Sequence, residues 1–259
     1  MYERITSVQN PKIKKLVLLQ QKSSERRESG LFAVEGLREL QHCLEGGLKV
    51  ETVFWCPEIL PSVQEVPGAR VFEVSPQVYS KIALRDSTEG IVAVVRMRGR
   101  TLDDLELREN PLVIVLESVE KPGNLGAILR SADAAEADAL LVCDPLTDLY
   151  NPNLIRASIG AAFTVPTVAC SSQEAINWLK AKGIRILTAQ LQDSDLYYEC
   201  DMRRATAIVM GTESTGLSAQ WRQAADAHIR IPMLGRLDSL NVSVSAAILL
   251  FEALRQRHA

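Results

Sequence analysis

Histidine is scarce in this chain of 259 residues: only His42, His228 and His258 occur, far apart in the sequence. No group of His, Cys and Asp stands at ligand spacing, so no metal site is expected. The five cysteines (Cys43, Cys56, Cys143, Cys170, Cys200) are scattered and include no CxxC pair. That excludes a zinc ribbon or a disulfide framework, and they read as buried free thiols. There is no GxGxxG fingerprint and no Walker loop ending in GK[ST], which argues against a dinucleotide-dependent enzyme and a P-loop enzyme. No GxSxG nucleophile elbow is present, so serine hydrolysis is a weak candidate. No apolar stretch reaches membrane-spanning length without a charge, and no apolar run of signal-peptide type follows the N-terminal charges. A cytoplasmic protein without a membrane partner is the expectation.

What is present is an ordinary globular balance, 47% hydrophobic and 24% charged residues, in a length that suits one large domain or two modest ones. The net charge of −3 rules out a molecule that is basic all over. Its distribution is uneven, however. Residues 1–27 hold Arg4, Lys12, Lys14, Lys15, Lys22, Arg26 and Arg27 against only Glu3 and Glu25. Such a patch can meet phosphates, or it can be a solvated helix face.

Periodicity predicts strands alternating with helices, an α/β architecture. A helix begins near Pro11, and Ser23 to Gly30 is polar and breaks the pattern. Strands follow at 31–34, 50–55, 70–74 and 90–97, with a helix from Glu35 closed by Gly46-Gly47. Residues 99–110 are polar with both signs of charge and read as a linker between domains 1–98 and 111–259. Beyond it, Leu112-Val-Ile-Val-Leu is apolar on both faces, as a central parallel strand should be. Further helices are expected from Asn124 to Ala134, Asn153 to Ala161, Ser171 to Ala181 (capped by Ser172) and Asn241 to Arg257. Strands are expected at 139–142, 165–168, 185–189, 205–210 and 227–231.

Three loops of the second domain carry chemistry-bearing residues. The first is Glu117-Ser-Val-Glu-Lys-Pro-Gly-Asn-Leu-Gly-Ala-Ile-Leu-Arg130. Asn124 suits a helix cap there, and Arg130 is an unusual cation in a small, apolar segment. An inter-domain salt bridge or an anion contact would each explain it. The second is Met210-Gly-Thr-Glu-Ser-Thr-Gly-Leu-Ser218. Its two glycines expose backbone groups for a ligand, with Glu213 between them. The third runs from Ile231-Pro-Met233 to Ser239-Leu-Asn-Val-Ser243 and enters a helix of small residues. Close packing explains those small residues but not the pairing of Ser239 with Asn241.

Taken together, the three loops resemble the signature motifs of the SpoU/TrmH branch of the SPOUT RNA 2′-O-ribose methyltransferases: Asn124-x-Gly126-x-x-x-Arg130, Gly211-Thr-Glu213-x-x-Gly216-Leu217, and Ile231-Pro-Met233 through Ser243. The segment Leu31-Phe-Ala-Val-Glu-Gly-Leu-Arg38 resembles the opening of the family's substrate-binding domain, which is similar to the ribosomal protein L30e fold. Tyr150-Asn-Pro-Asn-Leu-Ile-Arg156-Ala-Ser is similar to the segment between motifs one and two.

The resemblance implies a C-terminal trefoil-knotted SPOUT methyltransferase domain, an N-terminal L30e-like α/β domain, and a homodimer whose sites draw on both protomers. It implies S-adenosyl-L-methionine held by Met210, Gly211, Gly216, Leu217, Ile231, Met233, Leu240, Val242 and Ser243. Arg130, Asn124, Glu213, Ser239 and Asn241 would organise catalysis. RNA, with rRNA preferred over tRNA, would meet Lys12, Lys14, Lys15, Arg26, Arg27, Arg38 and Arg156. A ribose 2′-oxygen would take the methyl group directly, without a metal. An always-charged guanidinium is a poor proton acceptor, so Arg130 suits phosphate binding or stabilisation of the developing alkoxide. A non-catalytic RNA-binding protein of the same fold and a base methyltransferase are the competing readings.

Overall fold

The computed structural model describes residues 2–63, 66–84, 89–212, 215–237 and 239–258. In chain order the first elements are β1 (Glu3–Ile5), α1 (Pro11–Gln21), α2 (Ser23–Ser29), β2 (Leu31–Glu35), α3 (Leu37–Glu45), β3 (Val50–Trp55), β4 (Arg70–Val74), α4 (Pro76–Ile82) and β5 (Ile91–Arg96). Then come β6 (Leu112–Glu117), α5 (Pro122–Ala134), β7 (Ala139–Cys143), α6 (Pro152–Ser158), α7 (Ala161–Thr164), β8 (Thr167–Cys170) and α8 (Ser172–Ala181). The last are β9 (Arg185–Ala189), β10 (Asp195–Leu196), β11 (Thr206–Met210), α9 (Ala219–Ala224), β12 (Ala227–Arg230) and α10 (Val242–Arg257). No described helix is long and apolar enough to cross a membrane.

Two compact units emerge. Residues 1–99 join with 148–164 in the first, and 100–147 join with 165–259 in the second. The segment 148–164 is therefore packed with the first unit, although a linear division assigns it to the second domain.

The first unit is a mixed five-stranded sheet in the order β1-β4-β3-β5-β2. β2 is buried along its whole length, and its side chains alternate between two cores as strand geometry requires. Leu31 and Ala33 pack with Ile13, Leu16 and Leu19 of α1 and Val78, Tyr79 and Ile82 of α4. Phe32 and Val34 pack with Leu40 and Cys43 of α3, Ile155 of α6 and Phe163 of α7. Each such large side chain contributes roughly 1.5–3 kcal/mol of burial. Glu35, at the end of β2, also points inward: one carboxylate oxygen accepts from the Leu84 N–H at 3.0 Å. The Tyr79 hydroxyl lies 3.5 Å from the other, and burial pushes the Tyr79 pKa up to about 12.

Several boundaries differ from the sequence expectation, each for a local reason. The polar stretch after α1 is helical as α2, and its buried residue is not apolar but Arg26. The expected helix 153–161 stops at Ser158, where Ile159 (φ 54°) and Gly160 (φ 90°) turn the chain before α7. A Cβ at Gly160 would meet the His42 ring at 2.5 Å, so glycine is needed there on two counts. Helix α8 is capped not by Ser172 but by Ser171, in a capping box with Glu174. Helix α5 starts at Pro122 in its first turn, so Asn124 is not its cap.

The second unit is a seven-stranded sheet in the order β10-β12-β9-β11-β6-β7-β8, parallel throughout. β6 and β11 are completely buried, as parallel strands covered on both faces must be. Val113, Val115, Ala207 and Val209 face Trp178, Leu179 and Trp221 from α8 and α9. On the other side α5 packs along α10.

The expected linker 99–110 is tied to this unit. Leu105 joins its core, and Arg108 donates through Nε to Asp138 at 2.8 Å. The Leu112 N–H donates to the other Asp138 oxygen at 2.7 Å. Burial pushes the Asp138 carboxyl up, but these hydrogen bonds outweigh it and hold its pKa below the ordinary value.

Candidate functional site

The three motif loops sit at the carboxyl ends of parallel strands or at helix entries, where folds of this kind gather their ligands. β11 delivers Met210 and Gly211 to the first wall. A Cβ on Gly211 would lie 2.3 Å from the carbonyl carbon and oxygen of Gly216 and 2.6 Å from the Leu217 nitrogen. The loop thus folds back on its own start. Gly216 has φ +65°, and its N–H donates to the Thr212 carbonyl at 3.1 Å.

Below the loop, the Ser218 N–H donates at 2.8 Å to Glu117, a carboxylate only 6% exposed at the end of β6. The Trp221 indole N–H donates to the Ser172 hydroxyl at 3.0 Å, which donates to Asp144 at 2.5 Å. These contacts fix where the loop leaves the sheet. The sequence reading singled out none of Glu117, Asp144 and Trp221 for a role, and took Ser172 only as a helix cap. A lone acid ending an apolar strand was the available signal for Glu117.

The second wall comes from the ends of β9 and β12, tied by a 2.6 Å hydrogen bond between Thr188 Oγ1 and His228 Nδ1. The third is the entry to α10. Asn241 caps that helix: its Oδ1 accepts from the Ser243 N–H at 2.9 Å and from the Ser243 hydroxyl at 2.6 Å. Its Nδ2 donates to Asn124 Oδ1 at 3.2 Å. Motifs one and three are therefore joined by an amide–amide contact across 117 residues of sequence.

Between these walls is a cleft of about 520 Å³. Met210, Gly211, Gly216, Leu217, Ile231, Met233, Leu240 and Val242 all line it, so every expected cofactor residue but Ser243 does. Ser243 instead spends its hydroxyl on the Asn241 cap. Ser239 also lines the cleft; Asn124, Arg130 and Asn241 do not, and Glu213 lies outside the described residues. Arg130 is exposed, two turns past the start of α5. It makes no ion pair among the described residues. Gln190, Gln192, Arg222 and Arg230 line the cleft as well and were not foreseen.

Gly211→Ala forces the Gly216 peptide away and splays this loop. We expect affinity for S-adenosylhomocysteine to fall by a factor of ten or more while the protein stays folded, at a cost of about 1–3 kcal/mol in stability. Calorimetric titration alongside thermal unfolding measures both.

Among the residues expected at RNA, Arg26 must be withdrawn. Its side chain is 3% exposed and its Nε donates to Asp148 at 2.6 Å; Nη1 donates to the Leu19 carbonyl at 2.6 Å. The guanidinium is committed to the interior. Lys12, Lys14, Lys15 and Arg27 are exposed, with Lys12 Nζ 3.4 Å from Glu3 and 4.8 Å from the centre of the Phe72 ring. Arg38 and Arg156 come together on a second cleft of about 390 Å³ in the first unit, beside Glu39, Glu89 and Ile159.

With this geometry in view, comparison with known proteins is decisive. The profile of the SpoU rRNA methylase family matches residues 111–251. The chain belongs to that family. A profile of an MRM3-like substrate binding domain matches residues 10–93. A 23S rRNA (uridine(2479)-2′-O)-methyltransferase of Streptomyces viridochromogenes is 32% identical, over 98% of this chain and 92% of its own. A 23S rRNA (guanosine(2553)-2′-O)-methyltransferase of Bacillus subtilis is 29% identical, over 96% and 98%. The AdoMet-bound rRNA methyltransferase from Sinorhizobium meliloti superimposes with a TM-score of 0.89 at 31% identity, covering 98% of both chains. The C-terminal unit is a SPOUT-like methyltransferase domain, and the N-terminal unit is a substrate-binding domain consistent with an L30e-like fold.

Proposed function

We propose that this protein transfers a methyl group from S-adenosyl-L-methionine to a ribose 2′-hydroxyl of ribosomal RNA, with 23S rRNA as the substrate. The observation that carries this reading is the convergence of the second and third motifs on one cleft. Its volume is in the range of about 300–1,000 Å³ usual for cofactor pockets. Its walls suit an adenosine: Met210, Leu217, Ile231 and Val242 are apolar, and the glycine-lined loop leaves backbone donors and acceptors bare. When bound, S-adenosyl-L-methionine supplies a methyl group on a sulfonium centre for in-line transfer to the 2′-oxygen.

The chain's own residues must then align the ribose and stabilise the oxygen as it loses its proton. Arg130 offers a five-donor fork with no other partner among the described residues, suited to the adjacent phosphate or the developing alkoxide. Ser239 sits in the cleft, and Asn241 holds Asn124 and caps α10, so together they set the position of both motifs. Glu213 is assigned a place in the same constellation on the motif alone.

The proposal includes a homodimer, whose partner completes the site. Arg130 does not line the cleft of its own chain. Helix α10 leaves Val244 48% and Phe251 46% exposed, seven residues apart on one stripe with the half-buried Ala247 and Ile248 between them. The partner helix of the proposed dimer would cover this stripe. The threaded C-terminal chain of the family and a cytoplasmic location belong to the same reading. Lys12, Lys14, Lys15, Arg27, Arg38 and Arg156 would hold RNA backbone by charge, and 23S rRNA would be selected through its shape.

The test is transfer of labelled methyl from S-adenosyl-L-methionine to 23S rRNA, and to the large subunit, from cells lacking the gene. Label confined to 23S rRNA is expected. Label in tRNA instead would overturn the substrate, and RNA binding without transfer would favour a non-catalytic relative.

A further inference from the structure

The cofactor cleft carries two charges that neither the motifs nor the reaction explains. Arg222 of α9 and Arg230 at the end of β12 both line it, and both follow the 211–218 loop in sequence. Among the described residues they are the only charged groups on its walls, and neither guanidinium makes a hydrogen bond or ion pair with another described residue. Arg222 is exposed and Arg230 partly withdrawn from water, and both forks are available to an anion that enters the cleft.

S-adenosyl-L-methionine has one anionic group, the α-carboxylate of its methionine portion. Its sulfonium and its ammonium are cationic and repel a guanidinium. The nucleoside offers apolar faces and neutral hydrogen-bonding edges, which the apolar and glycine-lined walls already match. The carboxylate is thus the one part of the molecule that the two arginines attract. An arginine fork is also the group best shaped to grip a carboxylate through two parallel hydrogen bonds.

Building on the cofactor reading above, we propose that Arg222 and Arg230 bind the carboxylate of S-adenosyl-L-methionine and orient its methionine arm in the cleft. Their role is binding, through the carboxylate alone. Affinity and the angle of the methionine arm then depend on a charge contact that the three motifs do not contain.

The experiment uses two ligands that differ only in the amino-acid portion. S-adenosylhomocysteine keeps the carboxylate, whereas 5′-methylthioadenosine keeps the nucleoside and thioether but has no carboxylate. Both are titrated calorimetrically into the full-length protein and into Arg222→Gln, Arg230→Gln and the double variant. We expect the double variant to lose at least ~10-fold in affinity for S-adenosylhomocysteine, as for one lost charge-assisted hydrogen bond. Affinity for 5′-methylthioadenosine stays at the wild-type value, and raised salt narrows the difference between the two ligands in the wild type. Arg230→Lys retains part of the affinity.

Equal weakening of both ligands would mean that the substitutions merely damage the cleft, and would overturn the assignment. Unchanged affinity for S-adenosylhomocysteine with a raised Michaelis constant for RNA would place the two arginines at a phosphate instead. Wild-type protein that binds neither ligand would refute the cofactor reading itself.

Discussion

Replacing Arg130 with Ala lowers the rate constant for methyl transfer by at least ~100-fold, the loss expected when one preorganised donor to a developing oxyanion is removed. Affinity for S-adenosylhomocysteine is unchanged, because Arg130 does not line the cleft that holds it. Stability is unchanged as well: the side chain is exposed on α5 and has no hydrogen bond or ion pair with another described residue. Single-turnover kinetics, calorimetry and thermal unfolding of the same preparation separate the three quantities. If Arg130 also grips a phosphate, the Michaelis constant for RNA rises with the loss of rate. Mixing the Arg130→Ala protein with a variant disabled in its own cleft tests the dimer. Activity returns in the mixture only if one protomer's arginine serves the other's cleft. An Arg130→Ala protein that keeps more than about a third of wild-type activity would remove this residue from the mechanism.

Asp148→Ala destabilises the first unit by about 3–5 kcal/mol, the usual result of leaving one member of a buried ion pair alone. Arg26 is 3% exposed and Asp148 14% exposed, so neither charge is screened by water. Removing the carboxylate strands a guanidinium whose only remaining close acceptors among the described residues are the carbonyls of Leu19 and Gln20. Replacing the pair together, as Arg26→Met with Asp148→Leu, restores most of the loss, because the desolvation cost disappears with the charges. Urea unfolding followed by a probe in the first unit reads the difference. Equal stability of Asp148→Ala and wild type would show that the pair is solvated and would return Arg26 to the RNA-facing set.

The Arg26–Asp148 pair lies beyond what local sequence pattern shows. Ser23–Ser29 has no apolar period, because the one residue that α2 buries is an arginine whose partner lies 122 positions away. Residues 148–164 carry clear helical signals, yet nothing local says which core their apolar face joins. Ile155 and Phe163 pack against Phe32 and Val34. Short elements were passed over for the same reason. β1 and β10 have too few residues to show a period, and α4 announces itself only through Ser75-Pro76, a cap and a first-turn proline.

What was legible is what physical chemistry forces into the local pattern. Strands β6 and β11 had to be apolar throughout because they are covered on both faces. Gly211 has to be small because the loop touches itself there, and Gly216 suits glycine because its backbone takes φ +65°. The carboxylate beneath that loop, Glu117, and the arginines on the cleft, Arg222 and Arg230, follow from tertiary placement and were not visible beforehand.

The most direct test of the central claim is the chemical position of the transferred methyl. Labelled 23S rRNA is hydrolysed in alkali, and the products are resolved by size. A methyl on the ribose 2′-oxygen blocks attack on the neighbouring 3′ phosphodiester, so label should appear in an alkali-resistant dinucleotide. Label in mononucleotides would mean that the methyl sits on a base, and the account of a ribose 2′-O-methyltransferase would be wrong.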